Sequence, residues 1–173
     1  MNLSRARLWL AALLVAVSAC AVAQGERAEV QIKATFLYKF GGFVDWPPSS
    51  FPAADTPLTI GVLGADALAE ELERIVSGRS IQGRPVKVRR LKRGEPVAQL
   101  HILFVGQAEI PQDAGQGLLI VTDVERAQPR GSMINFVTVD DKVRFDIALA
   151  PAERGNLKIS ARLLAVARKV IAS

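Results

Sequence analysis

Residues 130–150 read RGSMINFVTVDDKVRFDIALA, a pattern of two alternating segments on either side of Asp140-Asp141. If the two aspartates form a two-residue turn, the segments pair as an antiparallel hairpin. Phe136 then lies opposite Phe145 on a face that is almost wholly apolar and belongs on the core. A shift of one residue would turn charged side chains toward the core, so the pattern predicts this register.

The other face of the predicted hairpin carries polar side chains. Asn135 lies opposite Asp146, and Arg144 is two residues away from Asp146 on the same strand. A buried amide without partners would cost about 1–3 kcal/mol, and Asn135 does not need to be buried on this face. We therefore predict that Asn135, Arg144 and Asp146 lie on the surface, as candidates for binding a partner or a ligand.

Apolar periodicity predicts the other elements of an α/β fold. We expect a single compact domain in which a mixed sheet is flanked by helices, with a C-terminal antiparallel hairpin and a closing helix. Near-continuous apolar runs are typical of strands that are covered on both faces. The predicted helices cover residues 26–45, 67–77 and 157–172, and the predicted strands cover residues 58–63, 85–91, 100–106 and 118–123.

The first predicted helix carries an aromatic stripe that includes Phe40 and Phe43. This stripe ends at Trp46, and the two prolines that follow prevent the helix from continuing. Gly41-Gly42 lies inside this helix and would allow another backbone to approach closely. The stripe favours core packing, and the alternative is a ligand or partner groove near Trp46. A second candidate for a ligand site is the turn Gly64-Ala65-Asp66, where Asp66 is the predicted N-cap of the second helix.

The first 23 residues have the features of a secretory signal peptide. Arg5 and Arg7 precede an apolar run over residues 8–19, and Ala21-Val22-Ala23 fits a small-x-small cleavage site. A second interpretation is a bacterial lipobox that ends at Cys20, whose cysteine would carry a lipid anchor. Both interpretations predict export, and residues 24–173 then form the functional domain.

Groups for catalysis or metal binding are scarce in this sequence. His101 is the only histidine, and a lone histidine at the start of a buried strand is more often structural than catalytic. Cys20 is the only cysteine, so residues 24–173 contain no disulfide and no thiol. No cluster has metal-ligand spacing. We expect a binding protein without catalytic residues, metal or cofactor.

A run of basic residues marks the predicted strand over residues 85–91 and the segment that follows it. One interpretation is a patch for anions or for a membrane surface. The other, which the pattern favours, is the solvated side of an edge strand, where charge discourages edge-to-edge pairing. The run consists of Lys87, Arg89, Arg90, Lys92 and Arg93.

Three stretches of the chain resemble the YfiR-like family of exported bacterial proteins. They are IKATFLYKFGGFVDWP (residues 32–47), GSMINFVTVDDKVRFDIALA (residues 131–150) and LKISARLLAVARKV (residues 157–170). Their order and spacing agree with the family over nearly all of residues 24–173. The resemblance implies a compact α/β fold, and its motif positions are Trp46, Asn135, Phe136, Arg144 and Phe145.

The resemblance also implies a location and a function. Such a protein is periplasmic and forms a homodimer. It restrains an inner-membrane diguanylate cyclase by binding the periplasmic region of that enzyme, and an outer-membrane-associated lipoprotein relieves the restraint. The resemblance therefore implies control of cyclic-di-GMP and of biofilm formation.

One property of the family's best-known member does not carry over, since that protein uses intramolecular disulfides as a redox input and this chain has no cysteine after Cys20. The alternative function is a periplasmic sensor that binds a small ligand and acts on another membrane signalling or transport protein. Its predicted pocket lies near Trp46 and the Gly64-Ala65-Asp66 turn.

Overall fold

The computed structural model describes residues 24–106, 109–112, 114–125 and 127–172. The predicted signal segment and the lipobox alternative at Cys20 lie outside these residues. The helices are α1 (residues 24–40), α2 (Asp66–Val76), α3 (Leu149–Arg154) and α4 (Ala161–Val166), with a short 3₁₀ helix at Pro48–Ser50. The strands are β1 (Val44–Asp45), β2 (Leu58–Leu63), β3 (Ser80–Ile81), β4 (Arg84–Leu91), β5 (Ile102–Val105), β6 (Leu119–Asp123), β7 (Ile134–Val139), β8 (Lys142–Ala148), β9 (Lys158–Ile159) and β10 (Lys169–Ile171).

One mixed, eight-stranded sheet organises the described chain, in the order β10-β8-β7-β6-β5-β2-β4-β3. Strands β4, β2, β5, β6 and β7 are parallel to their neighbours in this series. The β7–β8 hairpin and the β3–β4 pair are antiparallel, and β10 is parallel to β8. Strands β1 and β9 form a separate antiparallel pair. The predicted α/β domain with a mixed sheet is therefore confirmed.

The hairpin has the predicted register. Phe136 pairs with Phe145, and Asn135 pairs with Asp146. The turn residues Asp140 and Asp141 both have positive φ angles, 49° and 56°. This is the backbone of a type I′ turn, whose twist matches that of the flanking strands.

The two faces of the sheet belong to two apolar clusters, because successive side chains of a strand point to opposite faces. The larger cluster contains Ile60, Ile102 and Leu119, together with buried residues from α1, α2, α3 and α4. The smaller cluster contains Leu103 and Ile120, together with apolar residues of the connections that follow β4 and β5. Among the described residues, the helices therefore contribute to one cluster only, and residues of the connections after β4 and β5 cover the other.

Strand β4 has a largely free outer edge, because β3 pairs only with its first two residues. The basic run lies here, as expected for the solvated side of an edge strand. Two of its members have partners within the chain. Arg90 donates to Glu73 of α2 at 2.9 Å, and Arg89 donates to the carbonyl oxygen of Ala98 at 3.3 Å.

A buried lysine joins α1 to the sheet. Lys33 is 7% exposed, and its ammonium group donates to Asp123 at the end of β6 and to Glu29 on α1, at 2.6 and 2.5 Å. Burial lowers the pKa of Lys33, but the hydrogen bonds to Asp123 and Glu29 outweigh it, so that the pKa is raised above 10.5. Lys33 interrupts the apolar stripe of α1, and its charge is balanced there by ion pairs with Glu29 and Asp123.

The predicted end of the first helix is wrong, because α1 stops at residue 40 rather than at residue 45. Gly41 and Gly42 follow the helix instead of lying inside it. An added Cβ at Gly41 would lie 2.8 Å from the Ile81 side chain, so the close neighbour at this glycine is a side chain rather than the expected backbone. The second helix is close to its predicted bounds, but Asp66 is its first helical residue. The N-cap is Ala65, which makes no side-chain cap bond.

The closing helix is present but much shorter than residues 157–172. Strand β9 precedes it, α4 covers Ala161–Val166, and β10 follows it along the edge of β8. The Ser160 hydroxyl caps α4 by accepting from the Leu163 amide. Beyond the helix, Arg168 forms a bidentate ion pair with Asp146, with its Nε atom 2.7 Å from the carboxylate. This pair fixes the chain end against the hairpin in an extended form.

The prediction that Asn135 and Asp146 lie on the surface is wrong, since they are only 2% and 6% exposed. The chain between β6 and β7 covers this part of the sheet. The Asn135 amide oxygen accepts from the Thr122 hydroxyl at 2.8 Å and from the Val124 amide at 3.0 Å, and its Nδ2 donates to the Val124 carbonyl at 2.8 Å. Asn135 is therefore a buried link between β7 and the connection that follows β6.

Replacing Asn135 with alanine is expected to lower the free energy of unfolding by about 3 kcal/mol, because the amide and carbonyl of Val124 would lose their buried partner. Urea denaturation followed by circular dichroism measures this change. Thr138→Ala, on the exposed end of the same strand, is the control, and we expect less than about 1 kcal/mol. Equal losses for the two variants would contradict the role assigned to Asn135.

Candidate functional site

Of the three polar residues predicted on the outer hairpin face, only Arg144 is exposed. Asn135 and Asp146 are buried, with their polar atoms in hydrogen bonds to Thr122, Val124 and Arg168. The hairpin brings Asn135 and Asp146 together, but as structural residues. Arg144 is thus the part of this predicted site that remains available to a partner.

Arg144 borders a groove between α1, β8 and α4, with a volume of about 370 Å³. Each of the three elements contributes apolar side chains to this surface, which we call the α1–α4 groove. Its lining consists of Phe36, Lys39, Phe40, Phe43, Val143, Arg144, Phe145, Leu163 and Val166.

The floor of the α1–α4 groove is a rigid aromatic cluster. Phe36 and Phe40 of α1 meet Phe145 of β8 in edge-to-face contacts, with ring centroids 5.3 and 5.2 Å apart. Phe40 also stacks on Phe136 at 5.8 Å. Aromatic pairs of this geometry contribute about 0.5–1.5 kcal/mol beyond the area that they bury. The predicted structural positions Phe40, Phe136 and Phe145 therefore form one cluster beneath the groove.

The rim of the α1–α4 groove combines exposed apolar and cationic side chains. Val166 is 63% exposed, and Ile32 is 43% exposed in an adjoining depression that shares Phe36 and Lys39 with the groove. Lys39 and Arg144 are exposed, and within the described residues neither forms an ion pair. Apolar patches with a polar rim are typical of surfaces that bind other proteins.

Sequence reasoning did not identify Lys39 and Val166 as parts of a site. The aromatic stripe of α1 was recognised from the sequence, and one interpretation of it was a groove. That groove was expected near Trp46, not beside α4. Val166 fitted the apolar stripe of a long closing helix, and that stripe would have been buried. Because α4 ends at Val166 and β10 turns away from it, this side chain projects beside the groove.

Trp46 lies at another place, beside His101 at the start of β5. The indole Nε1 donates to the His101 carbonyl oxygen at 3.3 Å. The His101 ring accepts at Nδ1 from the Thr59 amide at 3.1 Å, and its Nε2 lies 2.9 Å from the Ser50 carbonyl oxygen. The Phe51 ring stacks on the imidazole at 4.3 Å. Both ring nitrogens therefore have backbone partners when His101 is neutral and carries its proton on Nε2.

The predicted pocket between Trp46 and the Gly64-Ala65-Asp66 turn does not exist as one site. Trp46 is at the amino-terminal end of the parallel strands, next to His101, whereas Gly64 follows the carboxyl-terminal end of β2. A strand of this length separates its ends by about 17 Å. The register of the parallel strands makes this separation unavoidable, and sequence spacing did not reveal it.

The described part of the chain offers neither a metal-ligand cluster nor a membrane-spanning helix. There, no group of three or more histidine, cysteine, aspartate or glutamate side chains could hold a metal ion. No helix among those residues is both long and apolar enough to cross a membrane.

The environment of His101 predicts a dependence of stability on pH. Burial, opposed by the hydrogen bond to Ser50 and aided by the nearby Arg84 charge, lowers the pKa of His101 below 6.5. The unfolded chain then binds more protons than the folded chain as the pH falls from about 6.5 toward the lowered value. Stability should therefore be greatest above about pH 6.5 and should fall on acidification through this range.

Urea denaturation between about pH 7.5 and pH 5 tests this, since the chain has a single histidine. His101→Asn should be less stable at every pH but should show a flatter profile across this interval. A variant profile as steep as that of the unchanged protein would assign the pH dependence to other groups.

Comparison with known proteins identifies a family for this chain. No curated protein matches the chain. The family model described as YfiR/HmsC-like matches residues 30–168, which include most of α1, the hairpin, β9 and α4. The match covers the larger part of the sequence. The chain therefore belongs to the YfiR/HmsC-like family, which implies a periplasmic regulator of diguanylate cyclase signalling.

Proposed function

We propose that this protein is a non-enzymatic periplasmic regulator that binds and restrains the periplasmic region of an inner-membrane diguanylate cyclase. The observation that carries the proposal is the α1–α4 groove, which combines an aromatic floor, an exposed Val166 and two exposed cations without ion pairs among the described residues. The family supplies the class of partner.

The chemistry of the groove favours one kind of partner segment. Its floor calls for apolar side chains, whose burial supplies most of the binding free energy. Lys39 and Arg144 at its rim call for carboxylates, which would steer association and fix the register of the bound segment. We therefore infer that the cyclase presents an amphipathic helix with acidic residues beside its apolar stripe.

The proposal also covers how the restraint on the cyclase is relieved. An outer-membrane-associated lipoprotein would relieve the cyclase by competing for this protein or for the groove itself. We also propose that the protein acts as a homodimer, as the family resemblance implies. The absence of cysteine after Cys20 means that a redox-sensitive disulfide is not the input signal of this chain.

Binding is tested with the purified protein and the isolated periplasmic region of the cyclase that the cell encodes. Arg144→Glu and Val166→Asp are each expected to weaken binding by about tenfold or more, because one reverses a rim charge and the other puts a carboxylate on the apolar surface. Isothermal titration calorimetry gives the dissociation constants. Arg93→Glu reverses an exposed arginine on another surface and should bind normally.

The same variants test the consequence in cells. Deletion of the gene should raise cellular cyclic-di-GMP, and the unchanged protein and Arg93→Glu should restore the original level. Arg144→Glu and Val166→Asp should fail to restore it, although they accumulate normally. An unchanged cyclic-di-GMP level on deletion would contradict control of a cyclase, whereas full restoration by both groove variants would contradict the groove as the binding surface.

A further inference from the structure

A second cavity lies at the amino-terminal ends of β2 and β5 and before the start of β6, with a volume of about 470 Å³. It shares no lining residue with the α1–α4 groove, so the proposed function does not use it. Its walls come from four parts of the chain: the loop over residues 49–57, Thr59 near the start of β2, the segment over residues 99–101 and the Gln116-Gly117 turn. Cavities for small ligands in proteins enclose about 300–1,000 Å³.

The lining of this cavity is polar but uncharged. Hydroxyl and amide side chains come from Ser49, Thr59, Gln99 and Gln116, and none of the described residues that line it is an aspartate, glutamate, lysine or arginine. Among these residues His101 alone has a titratable side chain, and both of its ring nitrogens already have backbone partners. The nearby Arg84 guanidinium does not line the cavity, because it donates to carbonyl oxygens of the 49–57 loop. The lining therefore suits a neutral molecule with many hydrogen-bonding groups better than an ion.

Two of the polar residues at the cavity are constrained, Gln116 through its side chain and Gln99 through its backbone. The Gln116 Oε1 accepts from Asn156 Nδ2 at 2.9 Å, which leaves the Gln116 Nε2 group available as a donor. Gln99 has a φ angle of 66°, in the left-handed region that a residue with a side chain adopts only at a cost. The surrounding chain thus holds Gln99 at the cavity in a conformation that its local sequence does not favour.

Gly117 allows two segments of the cavity wall to pack closely against each other. Gly117 has a φ angle of +76°, and an added Cβ would lie only 2.5 Å from the Ser50 Oγ atom. The absence of a side chain lets the turn before β6 pack directly on the 3₁₀ helix. The Gly117 amide also donates to the Gly155 carbonyl oxygen at 2.8 Å, which joins this wall to the end of α3.

We propose that this cavity binds an uncharged, polyhydroxylated small molecule of the size of a monosaccharide or a disaccharide. Its hydroxyl groups would bond to Thr59 and Gln116, and its less polar face would lie against Leu100 and the proline side chains of the 49–57 loop. This assignment extends beyond binding of a cyclase, and its failure would leave that proposal intact.

The protein contains its own reporter for this test. Trp46 donates to the carbonyl of His101, which lines the cavity, and Trp9 is the only other tryptophan. In the full-length Trp9→Phe protein we expect glucose, N-acetylglucosamine or maltose to change the Trp46 fluorescence in a saturable way at concentrations up to about 10 mM. Calorimetry should give the same dissociation constant. Gluconate and glucosamine, the charged counterparts, should bind at least about tenfold more weakly.

Substitutions then locate the site. Thr59→Val removes a hydroxyl at constant shape, and Gln116→Leu removes the free amide, so each should weaken binding by about tenfold. Gln112→Leu changes an exposed glutamine outside the cavity and should leave binding unchanged. The proposal is overturned if none of the three neutral saccharides binds by either method, if the charged counterparts bind equally well, or if Thr59→Val and Gln116→Leu bind normally while remaining folded.

Discussion

The contact between the phenylalanines of α1 and those of the hairpin is the constraint on which the other features of this molecule depend. Phe36 and Phe40 can meet Phe136 and Phe145 only if the hairpin has its observed register, because a slip of one residue would turn both strand rings away from the helix. The buried bond between Lys33 and Asp123 holds the same helix at the end of β6. Together these contacts fix α1 over the sheet and create the floor of the α1–α4 groove.

Two short segments of the chain connect the α1–α4 groove with the saccharide-sized cavity. One runs from Phe43, which lines the groove, through β1 to Ser49 and Ser50, which line the cavity. The other runs from Gly155, which bonds to Gly117, through β9 to Leu163 in the groove. Strands β1 and β9 pair with each other. A ligand that shifted this pair would act on both sites, and binding free energies coupled in this way are reciprocal.

The alternation of apolar and polar residues predicted the structure correctly where a single periodicity was strong. The alternation of residues 134–147 predicted every pair of the hairpin, since the apolar face tolerates only one register. It did not predict the burial of Asn135, because the cover comes from the connection after β6, whose path has no periodic signal. The predicted helix over residues 157–172 was too long for a related reason. Residues 157–172 have helical periodicity, but the bidentate bond of Arg168 to the buried Asp146 and the free edge of β8 favour a strand there.

The sequence by itself determined the α/β class, the hairpin register, the aromatic stripe of α1, the basic edge of β4 and the family. The family rests on the resemblance of three stretches of sequence, and the other features follow from short-range alternation and composition. Only the tertiary structure decided which polar residues are buried, that Trp46 and the Gly64 turn lie at opposite ends of β2, and that Lys39, Arg144 and Val166 share one groove. Such facts depend on contacts between residues far apart in the chain, and spacing along the sequence does not encode those distances.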